Sequence, residues 1–188
     1  KKVFTDTDVA TQAVSVNSLG WQAFKAWNLP QDASILVIGA GATNTSVGRF
    51  LSKAGYRNVH VINRSLERAQ ALAEILHTSQ VGTLDALPET LAAGPEALVI
   101  CTGSDQALLT GAHARMLPDG PLRVLDLGVP SDLDAGFRER PELTVVDMTA
   151  LKEIADQNLA IRATEVGKCE SLLEAGLVEY IERLQARE

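Results

Sequence analysis

Short, largely apolar runs constrain this chain most: residues 34–38 (SILVI), 58–62 (NVHVI), 97–101 (ALVIC), 123–127 (RVLDL) and 143–146 (LTVV). Each is too short for a buried helix, and in SILVI and ALVIC the apolar residues are continuous rather than alternating, so strands covered on both faces are expected, as in a parallel sheet. The stretch from the first run to about Ala54 has helical apolar spacing, Ser65 is placed to cap another helix to about Leu76, and a short strand is expected near Val81. Strand, helix, strand repeats of this kind predict an α/β fold, a doubly wound, mainly parallel Rossmann-type sheet.

The ends of the chain read differently. Val16, Leu19, Ala23, Phe24 and Trp27 recur at helical steps after Ser15, and Pro30 closes the segment, so residues 1–30 are assigned to a linker and one amphipathic helix. Residues 31–148 form the sheet domain. From Thr149 to Glu188 there is no proline, the only glycines are Gly167 and Gly176, and Leu151, Ile154, Val166, Cys169, Leu173, Leu177, Tyr180, Ile181 and Leu184 largely keep three- to four-residue steps. This predicts a long C-terminal helix over 149–188, about 60 Å if unbroken at roughly 1.5 Å per residue. Its far stripe is expected to meet another subunit or a further domain.

With 188 residues, 46% of them apolar, one substantial core is the expectation. A formal charge of −7 argues against this surface alone gripping nucleic acid. No run approaches the roughly 18 apolar residues of a membrane span and no signal peptide is evident, which predicts a cytoplasmic protein without membrane contact. The opening at Lys1 suggests a piece of something longer.

After the first strand stands Gly39-Ala40-Gly41-Ala42-Thr43-Asn44 at the start of a helix. Glycine suits both a sharp turn and a close backbone approach to a pyrophosphate, whose charge then rests on the helix N-terminus. The third glycine of that fingerprint is replaced by Asn44, and Asn44 or Thr43 offers a side-chain hydrogen bond to phosphate instead. The same spacing also fits a tight turn that holds no ligand. The second strand ends in Asn63-Arg64-Ser65, where selection of NAD normally relies on an acidic residue. Arg64 presents a planar fork suited to a 2′-phosphate and Ser65 adds a donor, which favours NADPH over NADH. A solvated Arg64 and a simple helix cap at Ser65 are the bland alternatives. Thr102 and Gly103, with Ser104, follow the fourth apolar run and face the same crevice, or form an ordinary turn.

Other reactive side chains carry less. Cys101 ends an apolar strand and Cys169 lies on the helix stripe, both reading as packing thiols. His60, His77 and His113 are too dispersed for a metal site. Asp126 and Asp147 end strands, where aspartate commonly turns the chain.

Taken in order, AVSVNS, SILVIGAGATNT, VINRSLERAQALA, ICTGS, LDLGVPSDLD and DMTALKEIADQNLAIRATEV resemble the glutamyl-tRNA reductase family over nearly the whole chain. Asn44 departs from that family's usual glycine. The resemblance implies the NADPH-binding domain with part of the spinal helix of an enzyme of tetrapyrrole (porphyrin) biosynthesis. It also implies that the catalytic cysteine, which attacks the glutamyl ester of charged tRNA, lies in a domain absent from this chain, so no catalytic residue is expected here. By the same resemblance Gly39, Ala40, Gly41, Thr43 and Asn44 lie at the pyrophosphate, Asn63, Arg64 and Ser65 at the adenosine phosphate, and Thr102 and Gly103 toward the nicotinamide. Its partners would be glutamyl-tRNA through the missing domains, a second subunit in a homodimer, and glutamate-1-semialdehyde aminomutase. Two alternatives stay open: a shikimate dehydrogenase-like reductase, which shares the NRS segment, and a Rossmann-shaped assembly module that no longer uses a nucleotide.

Overall fold

A computed structural model describes residues 15–160 and residues 173, 174 and 177. The chain divides into two compact units, residues 16–151 and a second composed of its two ends, 1–15 and 152–188. In the second unit residues 152–160 are helical, and Leu159, Leu173 and Leu177 are exposed. Val166, Cys169, Tyr180, Ile181 and Leu184, predicted members of the long apolar stripe, lie outside the described residues.

The first unit runs α1 (Val16–Ala26), β1 (Ile35–Ile38), α2 (Ala42–Ala54), β2 (Val59–Ile62), α3 (Leu66–Leu76), β3 (Val81–Gly82), a single 3-10 turn (Leu84–Ala86), α4 (Leu87–Ala92), β4 (Ala97–Ile100), α5 (Gly111–Ala114), β5 (Leu122–Asp126), α6 (Ala135–Arg138) and β6 (Leu143–Asp147). All six strands are parallel, in the order β3-β2-β1-β4-β5-β6. This is the doubly wound Rossmann-like order. The chain leaves β1 toward β2 on one side and returns at β4 on the other, so the ends of β1 and β4 frame the crevice where such sheets take ligands.

The continuous apolar runs are explained by cover on both faces. Leu36, Ile38, Leu98, Ile100 and Val124 share one cluster with Leu87, Leu91, Leu109, Leu133 and Phe137 from the α4 to α6 side. Full burial of a leucine or phenylalanine side chain stabilises by about 1.5–3 kcal/mol, so this layer rather than helix propensity holds the very short α5 and α6 in place. Across the sheet α1 lies close to β5: a side chain at Gly20 would meet Leu127 at 3.4 Å. Phe24 is fully buried, with the rings of Trp21, Trp27 and Tyr56 centred 5.9, 5.2 and 5.6 Å away. The Tyr56 hydroxyl donates to the Leu29 carbonyl at 3.1 Å and ties the turn after α1 to the end of α2. The sequence grouped α1 with a linker; its aromatic face makes it part of the sheet unit.

Candidate functional site

The loop from β1 to α2 is built around two glycines used for different reasons. Gly39 sits at φ +96°, and a Cβ there would lie 2.2 Å from the Cys101 carbonyl oxygen, so β1 and β4 close together only if this residue has no side chain. Its N–H donates to the Ile62 carbonyl at 2.8 Å. Gly41 is extended (φ −83°, ψ 178°), and a Cβ there would meet nothing within 4 Å. Nothing among the described residues demands glycine at that position. Gly41 is also the N-cap of α2 and offers no side chain to its first-turn N–H groups, which leaves them free for an anion.

A cleft of about 250 Å³ opens beside this loop, lined by Ile38, Gly39, Asn63, Arg64, Ser65, Arg68, Leu84, Thr102, Ser104 and Leu108. Asn63 braces it: its Oδ1 accepts from the Ala40 N–H at 3.1 Å and its Nδ2 donates to the Ser65 carbonyl at 2.9 Å, joining the glycine loop to the loop after β2. Ser65 is extended and its Oγ accepts from the Arg68 N–H at 3.4 Å, so it is the N-cap of α3. Arg64 and Arg68 are both exposed. No hydrogen bond or ion pair engages either guanidinium among the described residues, and both line the cleft. Arg64 was singled out from the sequence and Arg68 was not, although both line this cleft. The available signal was the Ser65 cap, which brings the third helical residue back beside the loop.

Two predicted phosphate or nicotinamide contacts take other roles. Asn44 is fully buried, and its Nδ2 donates at 2.8 Å to both the Ile38 and the Gly39 carbonyls. Both amide hydrogens are spent inside the protein, so this side chain has none to offer a phosphate. Thr43 is half-buried in the first turn of α2. The Thr102 hydroxyl donates to Asp132 Oδ1 and accepts from the Ser104 N–H at 3.2 Å, while the Thr102 N–H donates to Asp132 Oδ2 at 2.9 Å. Thr102 therefore shapes the wall with its only hydroxyl proton already used. Gly103, exposed at φ +65° with nothing near its missing Cβ, completes the turn.

Behind that wall lies a carboxylate network the sequence did not assemble. Asp126 is fully buried and accepts from Ser131 Oγ at 2.6 Å and from the Gly128 and Asp132 N–H groups at 3.0 and 3.1 Å. It holds the loop that carries Asp132 toward Thr102. Burial, with the Asp126 charge adding to it, pushes the Asp132 carboxyl above the usual range. A proton held more tightly in the folded state stabilises below the unfolded value, near 3.8, and that stability is lost as pH rises through the raised value. Urea unfolding of the unsubstituted chain and Asp132→Asn from pH 3.5 to 7 is expected to show their stability difference falling over that window. A constant difference would remove the shift.

Burial pushes the Cys101 thiol up and it donates to the Leu127 carbonyl at 3.3 Å, which makes it packing rather than a nucleophile. His113 Nδ1 accepts from the Thr110 N–H and His77 ends α3 in the left-handed region, both structural roles. Among the described residues no group of three or more His, Cys, Asp or Glu is placed to hold one metal ion, and no helix is long and apolar enough to cross a membrane.

The residues present fit a dinucleotide: an uncapped helix start behind a glycine with open space, and two unpaired guanidinium groups one loop away. The sequence profile of the family described as shikimate / quinate 5-dehydrogenase matches residues 22–154. The chain is 30% identical over 185 residues to the glutamyl-tRNA reductase of Chlorobium phaeobacteroides strain DSM 266, covering 96% of this chain and 43% of that protein. It is 33% identical to that of Pseudomonas aeruginosa over 98% of this chain and 44% of the relative. The structure of glutamyl-tRNA reductase from Methanopyrus kandleri superposes with a TM-score of 0.78 at 28% identity, over 96% of this chain and 46% of that one. The chain thus spans less than half the length of the relatives it matches. It belongs to the shikimate / quinate 5-dehydrogenase family of NAD(P)-dependent oxidoreductase domains and is, along its whole length, a homologue of the NAD(P)-binding domain of glutamyl-tRNA reductases.

Proposed function

We propose that this domain binds NADPH and presents it within a glutamyl-tRNA reductase, whose acyl substrate is held by a domain this chain does not contain. The observation that carries the reading is Gly41, a glycine with no internal purpose at an uncapped helix start. When bound, the cofactor would supply a hydride to the carbonyl carbon of a glutamyl thioester, whose C–S bond breaks to return the thiolate to the domain that held the acyl group and leave glutamate 1-semialdehyde. The chain's own groups bind and orient. The α2 N-terminus and the Gly41 backbone take the pyrophosphate above the turn made by Gly39 and Ala40, Asn63 keeps that loop in register with Ser65, and Arg64 and Arg68 receive the 2′-phosphate. Asp132 fixes Thr102 and Gly103 as the wall toward the nicotinamide.

Arg64→Ala is expected to weaken NADPH by about 1.5–3 kcal/mol, the worth of a charge-assisted hydrogen bond, and to leave NADH nearly unchanged. Equal losses for both cofactors in a calorimetric titration would defeat the 2′-phosphate role. For the substrate, the full-length protein should reduce charged glutamyl-tRNA with NADPH and leave shikimate untouched. The family match favours shikimate-type chemistry as the second reading, and NADP-dependent oxidation of shikimate without tRNA reduction would establish it.

A further inference from the structure

Asn44 stands where this type of loop ordinarily has a third glycine, and a space-filling apolar side chain or glycine would serve the crossing of α2 over β1. The asparagine instead brings an internal conflict. Its Nδ2 bridges two successive carbonyls, Ile38 and Gly39, at 2.8 Å each, while its Oδ1 is buried with no hydrogen-bond partner among the described residues. Turning the amide over would set an oxygen against both carbonyls, so this orientation is fixed by chemistry. A buried, unpartnered amide oxygen is unfavourable and calls for a reason. The reason lies at the other end of the amide: Gly39 is the residue whose left-handed backbone lets the loop turn, and its carbonyl has no partner besides Asn44.

Resting on the cofactor reading above, we propose that Asn44 is a positioning residue for the dinucleotide, clamping the peptide planes of Ile38 and Gly39 from beneath so that the Gly39–Gly41 backbone stays open toward the pyrophosphate. Asn63 braces the same loop from the side through the Ala40 N–H. With both amides in place, the loop cannot rotate its carbonyls toward the site, where they would repel an anion. Asn44 thus contributes to affinity through the two hydrogen bonds that hold this loop, which neither glycine nor serine can supply together, and without touching the ligand.

The test is calorimetric titration of the unsubstituted chain, Asn44→Gly and Asn44→Ser with NADPH and NADH, beside urea unfolding at the same temperature. The expected result is folded variants that bind both cofactors about tenfold more weakly, the scale of one lost hydrogen bond, by a common factor that preserves the preference between them. A side chain that only supported the fold would lower the urea midpoint and leave the affinity of the folded protein unchanged, and that outcome would overturn the proposal. So would a loss confined to NADPH. If glycine prevents folding, the serine variant carries the same reading. Failure of the unsubstituted chain to bind either cofactor would overturn the cofactor reading itself and this role with it, whereas normal binding by the variants overturns this role alone.

Discussion

Aspartate at Gly41 is expected to raise stability by a few tenths of a kcal/mol while lowering affinity for NADPH by about a hundredfold or more. The two effects have opposite signs because the residue has two surroundings. On the protein side it is the N-cap of α2, in extended backbone that any residue adopts, with nothing within 4 Å of a new Cβ, and a carboxylate there accepts from the helix's free N–H groups. On the ligand side the same carboxylate occupies the space and satisfies the donors that a pyrophosphate needs, and adds repulsion. Urea unfolding and NADPH titration of Gly41→Asp separate the two. Retained affinity would mean the pyrophosphate does not rest on this helix.

Gly39→Ala is expected to cost about 3–5 kcal/mol of stability, at the severe end for a single methyl group. A positive φ alone costs an alanine about 1–2 kcal/mol. The larger part comes from the approach of 2.2 Å to the Cys101 carbonyl, which belongs to backbone and cannot swing aside. The collision falls where β1 and β4 diverge, so relieving it means parting the two central strands. A loss below about 1 kcal/mol in urea unfolding would show that the loop relaxes and that Gly39 is not pinned.

The sheet was legible because burial on both faces writes itself as largely apolar runs, and strands β1, β2 and β4 fall inside the runs that announced them. Helices α4, α5 and α6 left no such trace: at four to six residues they are shorter than the period needed to show a face. Their positions depend on Leu91, Leu133 and Phe137 finding the far side of the sheet. The glycine loop and Arg64 were readable because their chemistry is local in sequence. What escaped depends on which strand ends meet. Asn44 looks like a phosphate donor until β1 is seen to bring the Ile38 and Gly39 carbonyls under it, and Thr102 looks free until a loop thirty residues later delivers Asp132. Arg68 was missed although Ser65 was already read as the helix cap, because its place beside Arg64 shows only once the cleft that both line is seen.

The most direct test of the central claim is a calorimetric titration of this chain with NADPH and, separately, NADH at matched salt. Binding of both, with NADPH the tighter and the difference reduced in Arg64→Ala, is the result expected from an open α2 N-terminus beside two guanidinium groups that have no partner among the described residues. Binding of neither cofactor up to about millimolar concentration, the weak end of specific affinity at roughly −4 kcal/mol, would contradict it.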